Sequence, residues 1–234
     1  MKNLNNTKSN KVNEVFNAVF NKYDFMNDLM SFGAHRVWKK KMIDWLNPTN
    51  ETTFIDMSSG TGDIAKEYLK RTKFKSKITC IDPNINMINI GKKRLKEFQN
   101  IEWICSTAEK LPLKSETFDI YAVSFGIRNF ENINQSLKEA WRVLKPGGRF
   151  ICLEFSKVEN EILDKIYKTY SKTIPLIGNY VIGSREPYEY LIKSIDMFYT
   201  QKELCQILKK NNFSEIEYRN LSGGIVAIHS AWKI

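Results

Sequence analysis

Residues 56–63 read DMSSGTGD. A short apolar run, TFI (53–55), comes before them, and IAKEYLKR (64–71), with apolar residues at helical spacing, follows. Two glycines in a tight turn between a strand and a helix let the backbone approach something closely. That something can be a phosphate, another part of a nucleotide, or a neighbouring strand. The pattern Asp56-x-Ser58-x-Gly60-x-Gly62 is not the full GxGxxG fingerprint, and it lacks the Gly-Lys-Ser/Thr ending of a P-loop. Alone, it leaves a plain turn, a phosphate loop and a nucleoside loop open.

Working outward, strands and helices alternate. TFIDM (53–57) reads as a strand and 63–71 as a helix; KITCID (77–82) is a strand and 84–99 a helix. IEWICS (101–106) and FDIYAVSF (118–125) are strands, the second apolar throughout. The spacing predicts a helix over 132–144, stopped by Lys145-Pro146-Gly147-Gly148, and a strand over GRFICLEF (148–155). Residues 200–210 are helical with Thr200 as N-cap, and EIEYRNLSGGIVAIHSAWKI reads as two strands joined at Ser222-Gly223-Gly224. Upstream, 12–46 carries helical spacing and 1–12 reads as a disordered tail. The expected fold is α/β: a doubly wound, mostly parallel seven-stranded sheet with an antiparallel edge strand and N-terminal helices.

The chain has 234 residues, 42% apolar and 12% aromatic, enough to bury a sizeable core. Its N-terminus has no apolar segment of a secretory signal, and no apolar run reaches membrane-span length; a cytoplasmic protein is expected. Cys80, Cys105, Cys152 and Cys205 are widely spaced without a CxxC, and three lie in strand-like runs. Buried free thiols fit better than a disulfide framework or a zinc site, and no metal is expected. The net charge of +10 invites a nucleic-acid or acidic-lipid reading, but the basic residues are dispersed, with runs only at Lys39–Lys41 and Lys92–Arg94. Nucleic acid is not expected as a partner.

In a doubly wound sheet, ligands bind beyond the carboxyl ends of the strands. The first such end is DMSSGTGD. Asp82 closes the next strand, where a carboxylate can accept both ribose hydroxyls of a nucleoside; the alternative is a solvated strand-end Asp. Ser106-Thr107-Ala108-Glu109 ends the third strand and Ser124 the fourth. Four strand ends carrying small or acidic residues describe a nucleoside slot without an obvious pyrophosphate cradle.

With these residues in place, the sequence resembles the class I methyltransferases that depend on S-adenosylmethionine. More narrowly, it resembles the ubiquinone/menaquinone biosynthesis C-methyltransferases. YDFMNDLMSFGAHRVWK (23–39) and RVLKPGGRFICLEFS (142–156) carry the narrower resemblance, with AEKLP (108–112), SFGIRNF (124–130) and NLSGGIVAIHSAWK (220–233). It covers nearly the whole chain after residue 12. It implies that Thr61, Asp82, Thr107, Ala108 and Ser124 contact S-adenosylmethionine, that Asp82 holds the ribose, that Ala108 and Glu109 lie near the adenine, and that Gly60 and Gly62 admit the methionine part. Asp56, at the head of the loop, belongs to the same expected cofactor site. One position departs from the family: Ser59 stands where a glycine is usual, so a positive φ there would be costly.

The implied substrate is a polyprenylated benzoquinol or naphthoquinol, methylated on a ring carbon. The candidates for this chemistry are Arg128, Asn129 and Tyr23, with Asp24, Asn27 and His35 behind them. Arg128 can stabilise a phenolate or fix a water, Asn129 can orient a hydroxyl, and Tyr23 can stack on the ring. Arg128 can instead form a salt bridge to Glu154 or Glu109. His35 fits a helix-packing histidine better than a base, and His229 reads as structural. After the disordered tail, 13–234 is expected to be a single domain. Residues 13–50 are its expected helical lid, although 23–27 can simply dock a helix. Residues 157–199 are either ordinary core or a cap over a prenyl tail. Peripheral membrane contact, and a homodimer or a quinone-biosynthesis complex, are the expected partners. Methylation of an RNA base or a small amine, or non-catalytic nucleoside binding, are the other readings; SFGIRNF at the fourth strand end lacks the Asn/Asp-Pro-Pro-aromatic motif and lowers the RNA option.

Overall fold

The computed structural model describes Asp28, Ser31, residues 33–182 and residues 185–234. Seven strands form one sheet: β1 (Thr53–Met57), β2 (Lys77–Asp82), β3 (Ile101–Cys105), β4 (Phe118–Ser124), β5 (Leu144–Phe155), β6 (Ser214–Leu221) and β7 (Val226–Trp232). Their order is β3-β2-β1-β4-β5-β7-β6. The first five pair in parallel, while β7 runs antiparallel to both β5 and β6. The antiparallel strand is therefore β7, inserted between β5 and the edge strand β6. The order reverses between β1 and β4, which places the ligand crevice of a doubly wound sheet at their carboxyl ends.

Among the described residues, the helices are α1 (His35–Leu46), α2 (Asp63–Arg71), α3 (Ile85–Arg94), α4 (Ile133–Val143), α5 (Glu161–Ile182), α6 (Glu186–Asp196) and α7 (Gln201–Lys210). Their starts follow local chemistry. Asn84 accepts the N–H groups of Asn86 and Met87, Asn132 accepts that of Gln135, and Thr200 with Glu203 closes a capping box. On one face of the sheet, Trp38, Met42 and Ile43 of α1, Tyr68 and Leu69 of α2, and Tyr188 and Leu191 of α6 share a buried cluster with Phe54 and Ile120. On the other face, Leu137, Ala140 and Val143 of α4 and Leu204 and Leu208 of α7 cover Tyr121, Phe150 and Cys152.

Two boundaries differ from the sequence reading. The helix expected over 84–99 ends at Arg94. Leu95 is buried, Phe98 stacks on Phe74 with centroids 5.3 Å apart, and the Asn100 amide donates to the carbonyls of Phe74 and Ser76. These tertiary contacts draw 95–100 off the helix. Strand β5 starts at Leu144, not 148, because Leu144 pairs with Phe118, while Gly147 N–H donates to Lys233 O and Lys233 N–H to Gly148 O. Cys80 and Cys152 are buried free thiols as expected, but Cys105 on the outermost strand β3 is exposed and Cys205 is half-buried. The tail expected over 1–12, and 13–27 with 29, 30 and 32 of the lid expected over 13–50, lie outside the described residues. The 157–199 segment forms α5 and α6.

Candidate active site

The DMSSGTGD loop leaves β1 and enters α2. Ser59 N–H donates to Ile81 O and Gly62 N–H to Ser59 O, so the loop is anchored on β2 and closed on itself. Positive φ falls on Ser58 (56°), Gly60 (53°) and Gly62 (83°); Ser59, where the family usually has glycine, avoids the left-handed region. The two glycines serve different ends. A Cβ on Gly62 would lie 2.7 Å from Leu95 Cδ1 and 2.9 Å from a ring carbon of Trp103, so Gly62 permits close packing of protein on protein. A Cβ on Gly60 would meet no atom within 4 Å. Gly60 is the position in the loop where a ligand can come near the backbone.

Asp82, at the end of β2, is 7% exposed. Its Oδ2 accepts Gly60 N–H at 2.9 Å and its Oδ1 accepts Asn84 N–H at 2.8 Å. It thus ties the β1 loop to its own, and each oxygen keeps a further lone pair for a ligand hydroxyl. Burial raises its pKa to about 6, against the lowering effect of those two N–H groups. Asp56 lies behind the loop. It is 1% exposed, its Oδ2 accepts Ala65 N–H, and burial raises its pKa to about 7. In this geometry Asp56 clamps the start of α2 and offers no exposed oxygen.

Thr61 Oγ1 accepts from Arg94 Nη1 at 2.9 Å. Arg94 and Lys39 also grip Asp63, at 2.7 and 2.8 Å; burial opposes them, yet they hold its carboxyl down to about 2. Ala108 is buried, Thr107 is exposed, and Glu109 Oε1 accepts the N–H groups of Glu131 and Asn132 at the start of α4. Ser124, at the end of β4, has a shielded hydroxyl with no hydrogen-bond partner. The structure thus gathers Gly60, Asp82 and Ser124 at neighbouring strand ends. An open glycine backbone, a carboxylate with spare acceptor capacity and an orphaned hydroxyl suit a nucleoside with an amino-acid tail.

Beyond β4, Phe125 has φ 56° and a 3-10 turn, Ile127–Asn129, follows. Arg128 takes the ion-pair alternative raised by its sequence: Nη1 donates to Glu154 Oε1 at 2.6 Å and to Phe125 O at 2.7 Å. Its side chain is 5% exposed and Glu154's is 1%. Burial pushes the Glu154 carboxyl up, opposed in part by Arg128. Arg128 Nε has no partner. Asn129 Oδ1 accepts from the Tyr190 hydroxyl of α6 at 3.1 Å. His35 is buried, with Nε2 2.9 Å from Asp28 Oδ1; His229 is buried against Gln201 O, and burial lowers its pKa to about 4. Tyr23, Asp24 and Asn27 lie outside the described residues.

Sequence reasoning missed Gly126 and Tyr190. A Cβ on Gly126 would lie 2.5 Å from Ser58 Cβ, so the loops after β1 and β4 touch there. The glycine stood in SFGIRNF as a signal; nothing local marked Tyr190.

Solved structures share this architecture. An S-adenosylmethionine-dependent methyltransferase from Thermotoga maritima, described as a possible histamine N-methyltransferase, superimposes with a TM-score of 0.69 at 22% identity, over 95% of this chain and 99% of that one. Another from Aquifex aeolicus gives 0.64 at 17% identity, over 89% and 97%. The fold is that of the class I methyltransferases, and with the family match that follows it makes S-adenosylmethionine the methyl donor. More narrowly, residues 4–233 match the family model of the ubiE/COQ5 methyltransferases, and the chain belongs to that family. A relative from Rickettsia bellii (strain OSU 85-389) is 48% identical, over 98% of this chain and 95% of its own length. One from Brucella abortus (strain S19) is 44% identical, over 98% and 87%. Both are named ubiquinone/menaquinone biosynthesis C-methyltransferase UbiE.

Proposed function

We propose that this chain transfers a methyl group from S-adenosylmethionine to a ring carbon of a polyprenylated benzoquinol or a demethylmenaquinol. The observation that carries the reading is the placement of Gly60, Asp82 and Ser124, with Arg128 and Asn129 in the turn that follows, at the carboxyl ends of the adjoining strands β1, β2 and β4, in a chain of the ubiE/COQ5 family. The bound cofactor supplies an already activated, electrophilic methyl. The protein's work is then alignment, exclusion of water and handling of two protons. Asp82 would hold the ribose hydroxyls, the backbone at Gly60 would admit the amino-acid part, and Ala108 with Glu109 beside it would lie near the adenine, with Thr107 as a further contact. Losing the phenolic proton makes the ring carbon ortho or para to that oxygen nucleophilic. Arg128 Nε and the Asn129 amide are the donors that hold the oxygen, or a water taking its proton. With S-adenosylhomocysteine as the leaving group of the transfer, the proton on the newly methylated carbon passes last to water, restoring aromaticity.

The same proposal assigns the prenyl tail to α5 and α6. Between them lies an open cavity of about 560 Å³, with Val158, Ile192 and Ile195 on its apolar side and the charged Lys157, Asp164, Lys168 and Asp196 also in its lining. Exposed Ile162, Ile166 and Met197 stand beside its lining residues in the chain and suit contact with a bilayer surface. Among the described residues no helix is long and apolar enough to cross a membrane. The lid role of the N-terminal region rests on α1, whose Trp38 packs on Phe125 and Phe155, each with ring centroids 6.3 Å away. Association with a second copy or with other quinone-pathway enzymes belongs to the same proposal, and native mass measurement tests it.

The deciding assay gives the purified protein methyl-labelled S-adenosylmethionine with each reduced acceptor in turn. Label on a ring carbon of either acceptor supports the reading; none on either, with cofactor still bound, overturns it.

A further inference from the structure

Asn129 sits at the end of the 3-10 turn after β4, and its amide is held from an unexpected direction. Tyr190 belongs to α6, in the segment whose sequence suggested only core packing or a cap. The buried side of α6 is formed by Pro187, Tyr188, Leu191, Ser194 and Ile195. Tyr190 is half-buried beside that row, and its hydroxyl donates to Asn129 Oδ1 at 3.1 Å. The neighbouring Arg128 is fixed separately, by Glu154 from β5 and by Phe125 O.

The chemistry of an amide makes this contact directional. Asn offers one acceptor oxygen and one NH2 donor on the two edges of a planar group. With the oxygen committed to the tyrosine hydroxyl, the NH2 is the edge left for another partner. A substrate hydroxyl on its way to phenolate needs a donor, not an acceptor. A tyrosine hydroxyl can accept as well as donate, and the order seen here is the one in which it donates; in the opposite flip the carbonyl oxygen would face the developing negative charge. Burial raises the Tyr190 pKa, against the lowering effect of Arg128, so the hydroxyl remains a donor at neutral pH.

We propose that Tyr190 is a positioning residue for the methyl transfer: through its hydrogen bond it fixes the Asn129 amide with the NH2 toward the acceptor oxygen, linking the α6 cap to the loop after β4. The inference rests on the quinol-methyltransferase reading of Asn129. It adds a residue that touches neither cofactor nor reacting atoms, and it makes the setting of α6 a condition for turnover.

The test is a double-mutant cycle on the full chain with the reduced acceptor. Tyr190→Phe removes one hydroxyl and keeps the ring. The expected result is a fall in kcat of about tenfold, with KM, cofactor affinity and melting temperature close to wild type. Asn129→Ala alone is also slow, and adding Tyr190→Phe to it has no further effect on kcat. A merely structural tyrosine would lower the melting temperature and leave kcat unchanged, overturning the inference. Additive losses would overturn it too, since the two residues would then act separately. If Asn129→Ala turns over normally, the assignment of Asn129 fails and Tyr190 falls with it. A slow Asn129→Ala beside a normal Tyr190→Phe leaves Asn129 in place and removes only Tyr190.

Discussion

Arg128 Nη1 lies 2.6 Å from Glu154 Oε1, and the two side chains are 5% and 1% exposed. A buried pair of this kind is costly to break from one side, because the remaining charge has no solvent to turn to. Glu154→Gln should therefore destabilise the protein by about 3 kcal/mol, read as a lower urea midpoint at unchanged m-value. Arg128→Lys keeps the charge but loses the planar fork. Cofactor affinity by calorimetry should stay near wild type while methyl transfer falls at least about a hundredfold. Wild-type turnover in Arg128→Lys would take the guanidinium out of the chemistry.

Asp82 joins two loops and is the proposed ribose acceptor. Asp82→Ala removes the acceptor of Gly60 N–H and Asn84 N–H as well as the ligand contact. Cofactor Kd should rise by about a hundredfold. A carboxylate accepts two hydroxyls and a carboxylic acid does so poorly, and the pKa stands near 6. Titration calorimetry at pH 7.5 and pH 5 should therefore show weaker binding at pH 5. Equal affinities would remove Asp82 from the contact.

Asp56 gives a pH dependence of stability. Its folded pKa is about 7 against an ordinary 3.8, so between those values the folded state holds a proton that the unfolded state has released. Stability should fall as pH rises through that window, and Asp82 adds a slope of the same sign up to about 6. Asp63, held near 2, acts with the opposite sign and only below its ordinary value. In urea melts at pH 4.5 and 7.5, Asp56→Asn should show a smaller difference than wild type. An unchanged difference would mean that Asp56 is already ionised in the fold.

Gly126 and Ser58 meet across the switch point. Gly126→Ala would bring a Cβ to 2.5 Å from the Ser58 Cβ, and Ser58 is already held at φ 56°. The expected cost is about 2 kcal/mol in thermal or urea unfolding, with weaker cofactor binding as the β1 loop shifts. Ser58→Gly should recover much of both, since it removes the clashing carbon and suits the backbone angle.

Most of the fold was legible because it is written in short-range patterns. Apolar runs of strand length alternate with segments of helical spacing, and Asn84, Asn132 and Thr200 mark helix starts by satisfying free N–H groups. The grouping of Gly60, Asp82 and Ser124 was legible for a related reason: in a doubly wound sheet the carboxyl ends of parallel strands lie side by side, so residues that close neighbouring strands could be expected near one another. The early end of α3 and the early start of β5 were not legible, since Phe98 answers to Phe74 and Gly147 to Lys233, far away in the chain. Arg128 is the instructive case. Its sequence favoured a part in the chemistry over an ion pair, and the pairing with Glu154 arises where the turn after β4 meets β5.

Local patterns in the chain thus carried the alternating architecture and, through long matching segments, the family. Periodicity and capping act within a few residues, so they survive in the linear chain. Only the tertiary structure decided what the two loop glycines do: Gly62 makes room for Leu95 and Trp103, while Gly60 faces open space. It also decided that Ser58, not Ser59, takes the left-handed turn, and that Tyr190 reaches Asn129. Those facts depend on which side chains arrive at the same place from distant parts of the chain, and distance in space is not encoded in spacing along it.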